Sequence, residues 1–214
     1  YPGLSGPAEL PAASKPKRIA FLETAGWPSA TDGAKQALDQ AREKLQAADI
    51  DVIDRTSSSA VEGVEVVIAD AQQLSMNINA WEGHWPLNTY ARDMDKSKLS
   101  TSAVGRLEQA QKMTQEQYQG LIIQREAIRD TYGTLTSAAD LCMTLSAPGC
   151  APVGLASTGD PIFTVPTSLL GVPSLTLPVL EDEGLPLGLQ LIGYVQQDAN
   201  LFAAAGAIDS LFHS

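Results

Sequence analysis

The sequence predicts an α/β fold: one domain on a mixed β-sheet with helices on both faces. Three observations predict it. Arg18–Leu22, a helix from about Thr31 to Ala48, and Asp51–Asp54 alternate as strand, helix and strand. That order is a βαβ unit, with a parallel pair and a right-handed crossover. Ser174–Val179 and Leu187–Tyr194 are short apolar runs fenced by Pro173, Pro178 and Gly184-Leu185-Pro186. Runs of this kind are strands covered on both faces. The acidic turn Glu181–Gly184 between them makes the two a hairpin or two neighbouring strands. The third observation is the 3.6-residue periodicity of most of what lies between these strands.

Residues 1–17 are rich in Pro, Gly, Ala and Ser without periodicity and read as an extended linker wrapping a surface. The rest, 18–214, divides into the βαβ unit 18–54, a helical region 60–132 and a sheet-completing block 140–212. In the first helix Ala34, Leu38, Ala41 and Leu45 form one stripe, with Lys35, Asp39, Arg42 and Glu43 off it. A helix from about Ala60 to Trp81 carries Val64, Val67, Ile68, Ala71, Leu74 and Ile78. Pro86 ends helix at Trp85, and residues 87–98 read as a polar loop. Leu99–Gln111 is a short helix capped by Ser100 or Thr101. Thr114-Gln-Glu-Gln117 is a capping box that starts a helix running to about Tyr132. Tyr118, Leu121, Ile122, Arg125, Ile128 and Tyr132 share its inner face. A guanidinium there needs a partner, Glu82 or another inward acid, or it snorkels outward. Asp140–Leu145 is a strand, Ser146–Asp160 a loop continuing through residues 161–173, and 198–212 a last helix capped by Asp198, with Leu201, Ala205, Ile208 and Phe212 inward.

A chain of 214 residues with 44% apolar content can bury roughly 70% of its unfolded surface. Its net charge of −11 argues against nucleic-acid phosphates and anionic membrane surfaces as partners. No long apolar span predicts membrane insertion. Residues 130–214 carry no Lys or Arg and eight acids, so 85 residues hold only eight formal charges. A self-standing domain carries far more, and this half is therefore expected to be largely covered. Cys142 and Cys150 have neither metal-ligand company nor a disulfide-rich pattern. They read as buried or semi-buried free thiols of a cytoplasmic protein.

Several candidate sites dissolve on inspection. The first βα turn, Glu23-Thr-Ala-Gly-Trp-Pro, has one glycine and no phosphate cradle, and Trp27-Pro28 would obstruct a pyrophosphate. Ser57–Ser59 and Ser100–Ser102 lack glycine framing and read as loop or caps, as does Ser157. Glu82 and His84 could form an acid–base pair, but they point in different directions on a helix and have no third partner nearby. Nothing in the sequence calls for a cofactor or a metal.

Gly171-Val-Pro-Ser-Leu-Thr-Leu-Pro178 followed by Gly184-Leu-Pro-Leu-Gly-Leu-Gln-Leu-Ile-Gly193 resembles the C-terminal block of the amidase signature family. Asp198…Leu201-Phe202 fits that block. Glu82, Thr114…Tyr118…Arg125 and Asp140…Ala147-Pro148…Ala151-Pro152 follow the family's order, so the likeness runs over 16–214 and is sharpest over 140–212. One departure is Pro166-Thr167, where many relatives have proline then tryptophan. The resemblance implies carboxamide hydrolysis through an acyl-enzyme, with a serine nucleophile, a second serine relaying the proton and a lysine base. The family's Gly/Ser-rich catalytic segment is not found here, so no catalytic residue is assigned in this chain. The expectation is a C-terminal portion, inactive alone, partnered by the N-terminal catalytic half of the same enzyme and acting on a small amide substrate. That the first residue is Tyr1 rather than Met favours truncation or processing. Phe163, Thr164 and Thr167, in a loop ahead of the buried strand, are the expected substrate-pocket wall. The alternative is a non-catalytic interaction module or degenerate subunit docking on an active amidase. An unpaired sheet edge would favour a homo-oligomer.

Overall fold

A computed structural model describes residues 9–213. The expected linker 1–17 falls partly outside the described residues. Its described part lies without regular structure against the last helix, where the Ser14 N–H donates to the Ala203 carbonyl at 2.9 Å. The elements are β1 (Arg18–Phe21), α1 (Asp32–Ala47), β2 (Asp51–Ile53), α2 (Ser59–Val67), α3 (Ala71–Glu82), α4 (His84–Asp93), α5 (Thr101–Lys112), α6 (Gln115–Gly133), β3 (Leu141–Leu145), α7 (Val165–Leu170), β4 (Ser174–Asp182), β5 (Leu185–Ile192) and α8 (Asp198–Phe212). The strands form one mixed sheet in the order β2-β1-β3-β5-β4. β1 is parallel to β2 and to β3, and β5 is antiparallel to β3 and β4.

The pleat sorts side chains onto two faces. Ile19, Phe21, Leu141, Met143, Leu145, Leu189 and Leu191 join α1 and α8 in one core. Ala20, Leu22, Cys142 and Ile192 join α2, α3, α6 and α7 in the other. The helices therefore cover both faces, as the sequence predicts. The α1 stripe is buried throughout, and Thr31 caps the helix by accepting from the Ala34 N–H at 3.0 Å. The predicted capping box at Thr114 and Gln117 is formed in both directions. Cys142 is buried and free, and Cys150 is free and half-buried. Desolvation pushes the Cys142 thiol up to about 11, which leaves it without thiolate reactivity at neutral pH. The Tyr132 hydroxyl beside it donates to the Gly193 carbonyl at 2.9 Å.

Five expectations are corrected. The single helix 60–81 is two, because the chain turns at residues 68–70. The apolar stripe Val64, Ile68, Ala71, Leu74 and Ile78 stays buried across the break, so periodicity could not reveal it. α2 packs on α6, whereas α3 packs against α5, α6 and α7. Pro86 does not end helix at Trp85. It sits in the first turn of α4, where its missing N–H has no intrahelical acceptor to lose. Residues 87–93 of the predicted loop 87–98 are therefore helix, and Lys96–Lys98 is a 3-10 turn. The segment from Pro161 is a short 3-10 turn followed by α7, not a loop. Gln197 holds the N-cap position of α8 without a side-chain capping bond, and Asp198 lies in the first turn, where an acid favours the helix dipole.

The fifth correction concerns β4. β5 is buried from Leu187 to Ile192, but β4 exposes Ser174, Thr176 and Pro178 because it is the edge strand. The pair is a hairpin, and β4 runs on to Asp182 through a bulge between Leu177 and Leu180. Glu183 at φ 52 and Gly184 at φ 78 close it, the two positive φ values of a tight hairpin turn.

Gly188 lets β5 approach its neighbours, since a Cβ there would collide with Ser146 Oγ and Thr176 Cγ2. Gly188→Ala is expected to cost about 1–3 kcal/mol by overpacking. The control is Gly63→Ala in α2, where a Cβ meets nothing within 4 Å and should gain about 0.5–1 kcal/mol. Denaturant midpoints of the two variants check the opposite signs.

Candidate functional site

A cleft of about 620 Å³ opens where β3 ends. The segment 146–152 forms one wall, residues 158–161 with Thr164 a second, and Pro186–Gly188 of β5 the floor. β3 delivers the first wall directly: the Ser146 N–H still donates to the Gly188 carbonyl at 3.0 Å before the chain leaves the sheet.

One carboxylate fixes that wall. Asp182 is only 3% exposed. Its Oδ2 accepts from the Thr31 hydroxyl at 2.9 Å and from the Cys150 N–H at 3.0 Å. The Thr31 N–H in turn donates to the Pro148 carbonyl at 2.8 Å. The hairpin turn, the start of α1 and the cleft wall are thus joined at one point. Gly33 and Gly149 make room, because a Cβ at either would strike the carboxylate.

The opposite wall is held by hydrogen bonds along its own turns. Asp160 Oδ1 accepts from the Ile162 N–H at 3.0 Å, the Thr164 hydroxyl donates to the Pro161 carbonyl at 3.1 Å, and the Thr167 hydroxyl donates to the Thr164 carbonyl at 2.8 Å. Buried Gln190 of β5 donates from Nε2 to the Phe163 carbonyl at 3.1 Å.

The three expected wall residues separate. Thr164 lines the cleft. Phe163 is fully buried in the core, and its ring lies so close to Gly26 that a Cβ there would come within 2.7 Å. Thr167 is 5% exposed, with the Ser174 hydroxyl 3.5 Å from its Oγ1. Sequence reasoning missed Ser146, Cys150 and Asp160 as cleft residues. The departure of the chain from an apolar strand into a Pro/Gly-rich loop was the available signal.

The hydroxyls set aside as caps and turn formers are so used. Ser58 caps α2, Ser100 caps α5, Ser57 binds Asp54 Oδ1 at 3.1 Å, and Ser157 accepts from the Gly159 N–H at 3.1 Å. Among the described residues no Ser, Thr or Cys side chain hydrogen-bonds to a Lys or His, and no cluster of His, Cys, Asp and Glu could hold a metal ion. Glu82 and His84 are not brought together: Glu82 accepts from the Tyr118 hydroxyl at 2.8 Å, and His84 lies between Trp81 and Trp85. Arg125 pairs with its neighbour Glu126 at 3.1 Å instead of an inward acid. No helix among the described residues is long and apolar enough to cross a membrane.

A second polar cluster lies at the carboxyl ends of β1 and β2. Glu65 of α2 is buried, and its Oε1 accepts from the Glu23 N–H at 2.7 Å. Its Oε2 has no hydrogen-bond partner among the described residues and faces Arg55 Nε at 3.5 Å. Burial raises its pKa above the usual carboxylate value, against the Glu23 N–H and Arg55, which lower it.

A mixed sheet sandwiched between helices is the fold that this chain shares with a solved amidase. The two superpose with a TM-score of 0.77 at 21% identity, covering 94% of this chain and 46% of that one. Fatty acid amide hydrolase aligns at a TM-score of 0.68 and 18% identity, over 100% of this chain and 43% of its own. In sequence, a glutamyl-tRNA(Gln) amidotransferase subunit of Nitratiruptor sp. is 24% identical over 201 residues, 85% of this chain and 46% of the relative. The corresponding subunit of Parvibaculum lavamentivorans is 38% identical over 93 residues, 40% of this chain and 19% of the relative. The amidase family model matches residues 5–202, and the chain belongs to the amidase family. It spans less than half the length of these relatives.

Two outcomes test the electrostatics. Asp182→Ala should cost about 2–4 kcal/mol, because it removes a buried acceptor of two hydrogen bonds; urea unfolding at pH 7 measures it. For Glu65 the folded pKa is raised, so the folded state binds the proton more tightly than the unfolded one. Its ionised form weakens the fold at neutral pH, and that penalty fades as pH falls through the raised pKa toward the ordinary value of 4.5. Glu65→Gln should therefore be more stable than the parent at pH 7, with the difference shrinking as the pH approaches 4.5. Paired melting curves read it out.

Proposed function

We propose that this chain is the C-terminal portion of a carboxamide hydrolase whose Ser/Ser/Lys apparatus lies in an upstream half of the same protein. The observation that carries the reading is a family match across residues 5–202 on a chain that covers only 46% of a relative's length. In the reaction the upstream serine oxygen bonds to the amide carbon while a lysine, through the second serine, takes its proton. The C–N bond then breaks, the amine leaves with a proton, and water releases the acid from the acyl-enzyme. This chain contributes the cleft wall around Thr164, with Phe163 and Thr167 supporting it from behind. The substrate is a small amide, and the protein works in the cytoplasm.

The upstream half is also the proposed cover for the free edge of β4 and for exposed Ser174 and Thr176. Without it, the chain is expected to self-associate through that edge. A degenerate subunit docking on an active amidase is the second reading. It is favoured by the same exposed edge and by the low charge of residues 130–214.

Purified alone, the chain should release no ammonia from simple aliphatic or aryl amides, while the protein as its source produces it should turn them over. An intact mass well above 22.6 kDa is expected for that source protein. Turnover by the isolated chain, lost on replacing one of its own serines, would overturn the proposal. A source protein that begins at Tyr1 would favour the docking subunit.

A further inference from the structure

Arg125 and Glu82 line one groove without pairing to each other. The groove, of about 280 Å³, lies between α3, α6 and α7, over Ile78 and Leu169. Opposite charges facing a shared groove ordinarily close on one another. Here each is tethered elsewhere. Glu82 is held by the Tyr118 hydroxyl at 2.8 Å, and the Tyr118 ring stacks on Trp81 with centroids 5.4 Å apart. Arg125 is held by Glu126 at 3.1 Å through Nε and one Nη.

Glu126 is not dedicated to that guanidinium. It is half exposed and shared with Arg129 at 3.0 Å, and exposed pairs of this kind contribute at most about 1 kcal/mol. Arg125 is itself only 24% exposed, and the rest of its fork of five N–H donors is uncommitted. The side chains of Ser75, Asn79 and Ser168 line the same groove and make no hydrogen bond among the described residues.

We propose that this groove binds a small zwitterion of the amino-acid class, with its carboxylate on Arg125 and its ammonium on Glu82. A guanidinium fork matches a carboxylate in plane and in charge. The apolar floor takes the methylenes between the two charges. A simple anion would meet Glu82 and a simple cation would meet Arg125, so only a ligand with both charges gains at both ends. The groove's volume, about 280 Å³, suits a ligand of that size. The inference is independent of amide hydrolysis, and its readout is binding.

γ-Aminobutyrate is the probe, titrated into the source protein by calorimetry and followed by NMR shifts, with butyrate and butylamine as singly charged controls. Saturable binding of γ-aminobutyrate is expected, with both controls weaker by about tenfold or more. Arg125→Met and Glu82→Gln should each weaken it by a similar factor. Ser168→Phe, at an exposed position on the groove's rim, should block it without touching either charge or the core. No binding, or butyrate binding as tightly as γ-aminobutyrate and indifferent to Glu82→Gln, would overturn the proposal. Loss of amidase turnover with binding intact would count only against the hydrolase reading.

Discussion

The Asp182 carboxylate is the point on which the cleft depends. It joins three segments distant in sequence: the N-terminus of α1 through Thr31, the cleft wall through Cys150, and the β4–β5 turn that carries it. Its burial follows from the bulge. Leu175 and Leu177 point toward α1 and α8, so an unbroken alternation would send Val179 and Glu181 inward and Asp182 to solvent. The irregularity between Leu177 and Leu180 shifts the parity by one, so Leu180 and Asp182 turn inward while Glu181 stays exposed. Pro178, which cannot donate to a ladder, sits in that irregularity on an edge strand, where proline is tolerated. A backbone exception thus places a buried acid against the first turn of α1, where the helix dipole favours negative charge.

This arrangement explains how so few charges serve residues 130–214. β3 and β5 are apolar because helices lie over both of their faces, and three of the acids of this half act as local anchors. Asp140 accepts the Lys17 and Arg18 N–H groups at 2.7 and 3.0 Å, Asp160 holds the turn before α7, and Asp182 clamps the cleft. Each carboxylate satisfies backbone donors that an apolar side chain would leave unpaired. Low charge here reflects burial within the chain as much as any surface awaiting a partner.

The βαβ unit, the hairpin, the Thr31 cap and the Thr114 capping box were legible because each rests on local chemistry or on a period carried by one element. The break between α2 and α3 was not, since the stripe through Ile68 and Ala71 keeps its phase while the axis turns. α4 was hidden because proline stops a helix from within but not from its first turn, and α7 because only six residues, Val165–Leu170, carry it. Of Phe163, Thr164 and Thr167, which the sequence puts together in one loop, only Thr164 lines the cleft. Successive residues of a helical turn point apart, so Thr164 reaches the cleft while Phe163 fills the space beneath Gly26. The need of Arg125 for a partner was legible, but its answer was not, because the Trp81–Tyr118 stack that holds Glu82 away is a tertiary fact.

The two edges of the sheet differ in kind, and the difference bears on how the fold could be extended. β2 has three residues, Asp51–Ile53, and Asp51 is engaged by Arg18 at 2.5 Å. β4 has nine and exposes Ser174 and Thr176 on the face opposite α1. A strand added at β2 would find too short a template to fix its register. A strand added at β4 would find a longer one, interrupted at Pro178, so pairing would be confined to either side of the bulge. That interruption discourages indiscriminate pairing with another copy and leaves Ser174–Leu177 as the longer of the two stretches paired regularly to β5. A partner that also brought polar side chains over Ser174 and Thr176 would be selected by hydrogen bonding as well as by backbone pairing. The proposed upstream half would meet both demands only if one of its strands and one of its polar faces arrived together, so the Ser174–Leu177 edge is the most specific constraint that this chain would place on such a partner.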